Sequence, residues 1–244
     1  MPSVIESKHY KLIHLNDLDA LPKLNLRSLF DSLRDQALLV HLTPLSFYPH
    51  SAYFSSILSE SEQQRASQFG LEKLKLKFIT QRALLRLLLT EITQAHTSEQ
   101  GLARSLEIQY TQKLKPYLAK SSLVSSPPQF NLSHTQNDVL YAFSPNSEVG
   151  VDIEEPHLTD PISELAQHIF SQDEWRIFED LTPQYRSFHF LKTWTQKEAL
   201  SKAIGQGLEL DFSKLSIENQ DWKVTPIPEL SPLFGALAMK RHCL

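Results

Sequence analysis

The chain has 244 residues, enough for one large domain or two small ones, and its 41% apolar and 21% charged content is ordinary for a folded soluble protein. Its formal net charge of −4 gives no electrostatic basis for general nucleic-acid binding, and its one cysteine, Cys243, excludes an internal disulfide framework and any zinc site built on several cysteines. The opening MPSVIESKHYKLIHLND lacks a continuous apolar core of signal-peptide length, and no run approaches the about 20 apolar residues of a membrane span. The expectation is a cytoplasmic protein with neither a membrane nor a nucleic-acid partner.

In chain order, residues 1–36 are mixed, with a helix predicted over 26–36. The apolar run ALLVHL at 37–42 ends before a Thr-Pro pair and reads as a strand. Residues 48–54 read as loop or short helix. Ser59 and Glu62 have capping-box spacing and start a helix. The strongest helix of the first half covers 73–94, with Leu74, Phe78, Leu85, Leu89 and Ile92 on one face. Its stretch from Lys73 to Arg86 carries Lys75, Lys77 and Arg82 as well, and no acid. Such a run is either a solvated face or a phosphate-binding one. A short strand at 108–110, a surface loop through 113–128 and a strand–turn–strand unit at 129–143 follow. In that unit Asn131 and the run 136–138 read as turn formers. The segment 144–148, SPNSE, is the best linker.

Residues 149–154, VGVDIE, form a strand in which Val149, Val151 and Ile153 point one way, and Asp152 and Glu154 the other. Two carboxylates on one face suit a hard cation such as Mg²⁺ or Mn²⁺, or a solvent-facing strand edge. Helices are predicted over 162–170, 172–180 and 185–204, and short strands over 208–210, 215–217 and 222–224, with turns through 226–232. In the last helix Glu198 and Lys202 stand a turn apart, on the face that carries Leu191 and Trp194. Gly205 and Gly207 stop it. The charged pair is either a surface salt bridge or part of a site in which a neighbouring cation and partial burial let Lys202 carry a proton. Adjacent Ser133 and His134 invite a nucleophile–base reading, but neighbours on a strand face opposite ways.

The order FNLSH, VGVDIE and WTQKEALSK resembles the 4′-phosphopantetheinyl transferases of the surfactin-synthetase-activating type. The resemblance extends to RALLR at Arg82–Arg86 and to the Lys-Pro ahead of FNLSH, so it covers nearly the whole chain. It implies an α+β fold of two similar halves, 1–146 and 147–244, related by a pseudo-twofold axis. Each half would be a long helix packed on an antiparallel sheet, and the pseudo-dimer would be a monomer. It implies Mg²⁺-dependent transfer of the phosphopantetheine arm of coenzyme A to a serine of an apo acyl or peptidyl carrier protein. Asp152, Glu154 and Glu198 are the implied metal ligands. Lys202 and Glu198 are the implied catalytic pair. Arg65, Lys77, Arg82, Lys115, Ser133 and His134 are the implied coenzyme A contacts. Two departures stand out. Leu114 occupies the place of the family's glycine before Lys-Pro, so that turn lacks glycine's freedom at positive φ. Lys-Leu-Lys-Leu-Lys replaces the family's acidic-basic run before RALLR.

Overall fold

The computed structural model describes residues 4–93, 103–121, 124–156, 162–206 and 210–241. The expected helix stop at Gly207, most of the strand over 208–210, and Cys243 lie outside them. Two larger sheets and two 22-residue helices dominate the architecture.

The first sheet has the order β1 (Val4–Glu6), β2 (Tyr10–His14), β3 (Ala37–Leu42), β7 (Val139–Ser144), β6 (Gln129–His134). Its pairings are antiparallel except for β2 with β3, which run parallel. The expectation of a purely antiparallel sheet is corrected here. Between β2 and β3 the chain passes through a 3₁₀ segment, Leu18–Leu24, and a helix, α1 (Leu26–Asp31), long enough to return it to the same end of the sheet. The continuous apolar run of β3 has its cause in burial on both faces. Leu38 and Val40 face a core shared with α2 (Ser51–Ile57) and α4 (Glu72–Thr93), whereas Ala37 and Leu39 face a second core with the C-terminal sheet. α3 (Glu60–Ser67) begins at the expected capping box, Ser59 with Glu62. Leu74 does not join the apolar face of α4. It is 46% exposed, and the buried stripe starts at Ile79. β4 (Ile108–Tyr110) and β5 (Pro116–Leu118) form a separate two-stranded ribbon where a loop was expected after 113.

The second sheet, β8 (Val149–Glu154), β10 (Phe234–Lys240), β9 (Trp222–Pro226), is wholly antiparallel. Its central strand β10 is absent from the sequence expectations because FGALAMK is poor in β-branched residues. Those small residues are what the packing needs. Ala236 and Ala238 meet Ala199 and Ala203 of the long helix α7 (Pro183–Ile204), letting helix and sheet approach closely. The helices α5 (Ile162–Ile169) and α6 (Gln172–Asp180) precede α7 as predicted. The strand expected over 215–217 does not form, and a 3₁₀ turn, Phe212–Lys214, capped by Asp211, stands just before it.

Candidate active site

Three elements converge on the site: β6, β8 and α7. The glycine of VGVDIE sets their spacing. A Cβ on Gly150 would lie 2.2 Å from the carbonyl oxygen of Ala199 and 2.3 Å from the Ala203 nitrogen, so only glycine lets α7 lie this close to β8. Asn131 ties β8 to β6. It is not a turn former but a buried mid-strand residue whose Oδ1 accepts a hydrogen bond from the Val151 N–H at 3.1 Å. A side chain thus satisfies a donor that the edge of β8 would otherwise leave unpaired.

On this frame the predicted acids come together. Asp152 is 3% exposed. Its Oδ1 accepts from Lys202 Nζ at 2.6 Å and from Ser133 Oγ at 2.8 Å, and Lys202 also donates to Ser133 at 2.9 Å. Lys202 therefore spends its ammonium across the junction rather than on a surface bridge to Glu198. Glu154 Oε1 accepts from Trp194 Nε1 at 2.9 Å, and the indole is stacked on Phe190 and Phe212, which fixes the direction of the carboxylate. Burial pushes all three acids up in pKa. Asp152 is raised despite its bonds to Lys202 and Ser133. Glu154 is raised further by the charge of Asp152, and Glu198 is pushed up to about 6 by burial and then by Asp152 and Glu154.

The Mg²⁺ implied by the resemblance can be tested against this donor set. Asp152 Oδ2 is buried with no hydrogen-bond partner, Glu154 and Glu198 both feel the charge of Asp152, and Glu198 that of Glu154 as well. Hard oxygen donors that repel one another fit Mg²⁺. Among the described residues, no three acidic or histidine side chains are already gathered into a metal-holding arrangement. The fit is one of donor chemistry, not of a finished cage.

The remaining predicted residues divide. Ser133 lies in the acid cluster, while His134, next to it on β6, turns to the exposed side, so the two form no nucleophile–base pair. Partial desolvation lowers the pKa of His134, with Lys77 and Lys202 adding to the effect. Lys77 donates to the Thr135 carbonyl at 2.5 Å. The Arg82 guanidinium lies over Phe78 and Tyr110, at 5.7 and 5.6 Å, with one Nη buried and unpaired. Arg65, which is exposed, lies over Phe69, and Phe69 packs on Phe78, so the two arginines flank one aromatic pair. Lys115 stands apart from the carboxylates. Its Nζ donates to the Ala203 carbonyl at 2.5 Å, at the C-terminal end of α7, beside Gly205 in a left-handed conformation. Arg86, part of the basic run, is no ligand-facing residue. It is 2% exposed and bonds Glu62 at 2.6 Å and the carbonyls of Ala103, Arg104 and Leu106.

Sequence reasoning missed Lys197. It is fully buried and bonds Glu174 at 2.7 Å and the carbonyls of Ile169 and Phe212 at 2.9 and 2.6 Å, pinning α7 to three neighbouring segments. Its signal was its position between Trp194 and Glu198 on the inward face.

Residues 148–235, which include β8, α7 and the three acids, match the family model described as the 4′-phosphopantetheinyl transferase superfamily. The chain is similar to a putative 4′-phosphopantetheinyl transferase of Synechocystis, slr0495. The two are 31% identical over 159 residues, covering 64% of this chain and 60% of that protein. It is also similar to the 4′-phosphopantetheinyl transferase HetI of Nostoc, at 29% identity over 63% of this chain and 62% of that one. A phosphopantetheinyl transferase of Thraustochytrium is 30% identical over 69% of this chain and 60% of its own length. The matches thus span about 60% of the length of these curated relatives. The mixed helix and sheet content of the structure fits the phosphopantetheinyl transferase fold.

Proposed function

We propose that the chain is a 4′-phosphopantetheinyl transferase of the surfactin-synthetase-activating type, acting as a monomer in the cytoplasm, with halves 1–146 and 147–244. It transfers the phosphopantetheine arm of coenzyme A to a serine of an apo acyl or peptidyl carrier protein, and adenosine 3′,5′-bisphosphate leaves. The observation that carries this reading is the cluster of Asp152, Glu154 and Glu198 with Lys202 and Ser133, gathered where β6, β8 and α7 meet.

Asp152, Glu154 and Glu198 would hold Mg²⁺. When bound it supplies charge neutralisation for the pyrophosphate oxygens. Lys202, fixed by Asp152 and Ser133, holds a positive charge at the place where the phosphoryl group transfers. The serine hydroxyl oxygen attacks the β-phosphorus as the bond to the leaving phosphate breaks. For the hydroxyl proton, Glu198 is the acceptor this reading favours, directly or through a water, because Lys202 is already engaged as a donor to Asp152 and Ser133. Lys202, with its ammonium donating to two oxygens, holds charge. Arg65, Arg82, Lys77 and His134 line the approach and suit the phosphates of coenzyme A, with Phe69, Phe78 and Tyr110 as flat apolar surfaces. Lys115 serves by holding the end of α7, and with it Lys202, in place.

Incubation with coenzyme A, Mg²⁺ and an apo carrier protein, followed by intact mass measurement of the carrier, tests this. The expected result is a gain of one phosphopantetheine arm. An unmodified carrier with free phosphopantetheine in solution would make the chain a hydrolase. Coenzyme A binding with no product from several carriers would make it a binding protein.

A further inference from the structure

At the end of the molecule opposite the acids lies a cavity of about 410 Å³ bordered by basic side chains. The strand registers fix its position. Asp152 and Glu154 stand toward the C-terminal end of β8, on the side where β6 turns into β7 through residues 135–138. The cavity lies instead beside Ser147, before β8 begins, and beside the turn between β1 and β2. Three separate stretches send cations into it: Lys8 and His9 from that turn, Lys223 from β9, and Lys240 and Arg241 from the end of β10. Leu237 and Met239 make an apolar floor.

The charge there is unbalanced. Lys240 is paired with Glu148 at 3.3 Å, and the Arg241 Nε donates to the Trp222 carbonyl. Among the described residues Lys8, Lys223 and Arg241 make no ion pair, and Asp35 is the one acid in the cavity lining. The cations are close enough to act on one another. Burial, then Lys8 and Arg241, lower the pKa of Lys223, and burial, then Lys223 and Lys8, lower that of His9. In a chain with more acids than bases, such crowding in a concave site costs stability unless an anion offsets it.

We propose that this cavity is a binding site for a diphosphate-bearing small molecule, distinct from the candidate active site. Three cations arriving from the two sides of the crevice match a ligand with two adjacent phosphate groups, and Leu237 and Met239 offer contact to its organic part. Lys8 and His9 belong to the first sheet's segment, and Lys223 and Arg241 to the second's, so the ligand would bridge the two sheets. The inference does not depend on the transferase reading.

Inorganic pyrophosphate is the probe, titrated into ¹⁵N-labelled protein at constant ionic strength and followed by amide chemical shifts. Wild-type protein is expected to show saturable shifts at residues 8–9, 147, 223–225 and 239–241. In the double variant Lys8→Gln/Lys223→Gln these should weaken by about tenfold or more, since two of the cations that would meet the phosphate oxygens are lost. Any shifts near Lys77, His134 and Lys202 should be unaltered by that variant and should weaken in Lys77→Gln, which separates the two sites. The single variant Lys223→Gln gives the same reading should the double variant not fold. The proposal is overturned by three results: no saturable shifts around the cavity in wild-type protein, shifts reproduced by sodium chloride at matched ionic strength, or affinity unchanged by the substitutions.

Discussion

The two long helices, α4 and α7, have the same length and each packs along its own sheet, yet they use their charges in opposite ways. The most buried cation of α4, Arg86, is consumed by its own structural neighbours. It closes onto Glu62 and three carbonyls, and nothing of it is left for a ligand. In α7, Lys197 does the same work, clamping neighbouring segments, but five residues later Lys202 reaches out of its packing layer to Asp152 on β8 and Ser133 on β6. The difference lies in what faces each helix at the relevant turn. Arg86 meets only backbone carbonyls and a capping glutamate, whereas Lys202 meets the junction between two sheets, where strand-borne acids and a hydroxyl already point the same way. A basic residue on a helix gains a role in a site only when a second element presents groups for it to act on.

Substitution at the two cations tests this contrast most sharply. Lys202→Ala is expected to lower turnover in the carrier-modification assay by about a hundredfold or more, the scale of losing a preorganised electrostatic contact, with coenzyme A affinity changed far less. Full turnover in that variant would place Lys202 with Arg86 as a structural residue. Arg86→Met should do the reverse. It strands Glu62 and three carbonyls, and urea unfolding should show a loss of about 3–5 kcal/mol, while turnover per folded molecule stays near that of wild type. A stable Arg86→Met protein would remove the contrast.

Smaller effects sharpen the picture away from the two long helices. Leu114, in the place of the family's glycine, keeps the turn by adopting φ of +64° and leaving its side chain 77% exposed. The left-handed conformation costs a non-glycine residue about 1–2 kcal/mol, part of which glycine's extra freedom in the unfolded chain would offset. Leu114→Gly should therefore stabilise by about 0.5–1 kcal/mol in urea unfolding. A loss of stability would mean that the leucine side chain contributes contacts beyond its backbone strain.

The smallest expected effect is a pH dependence in the first sheet. His41 bonds Asp138 through Nε2 at 3.1 Å and faces the Nδ1 of His14 at 3.0 Å, with Thr43 donating to the same Asp138 oxygen. Burial lowers its pKa, and His14 adds to that against the pull of Asp138. A histidine depressed in the folded state takes up protons more readily when unfolded. Its contribution is present above its ordinary pKa of about 6.5 and is lost as pH falls from there toward the folded value. The urea midpoint should drop between pH 7.5 and 5.5, and His41→Gln should flatten that drop. An equal drop in the variant would assign the dependence to other groups.

The linear chain by itself determined the features that depend on near neighbours. The capping box at Ser59, the strands at 37–42 and 149–154, the hairpin at 129–143 and the long helix of WTQKEALSK follow from spacing and local propensity. The association of Asp152, Glu154, Glu198 and Lys202 followed from their motifs. The tertiary structure decided what depends on partners distant in sequence. It turned Asn131 from a turn former into the link between β6 and β8, took Arg86 out of the ligand face, and set Lys115 on the end of α7. It also made a central strand of FGALAMK, whose small side chains are unremarkable in sequence and necessary under a helix. Local signals report how a residue treats its own backbone. They cannot report the group that faces it, and buried charges and close-packed alanines take their meaning from that group alone.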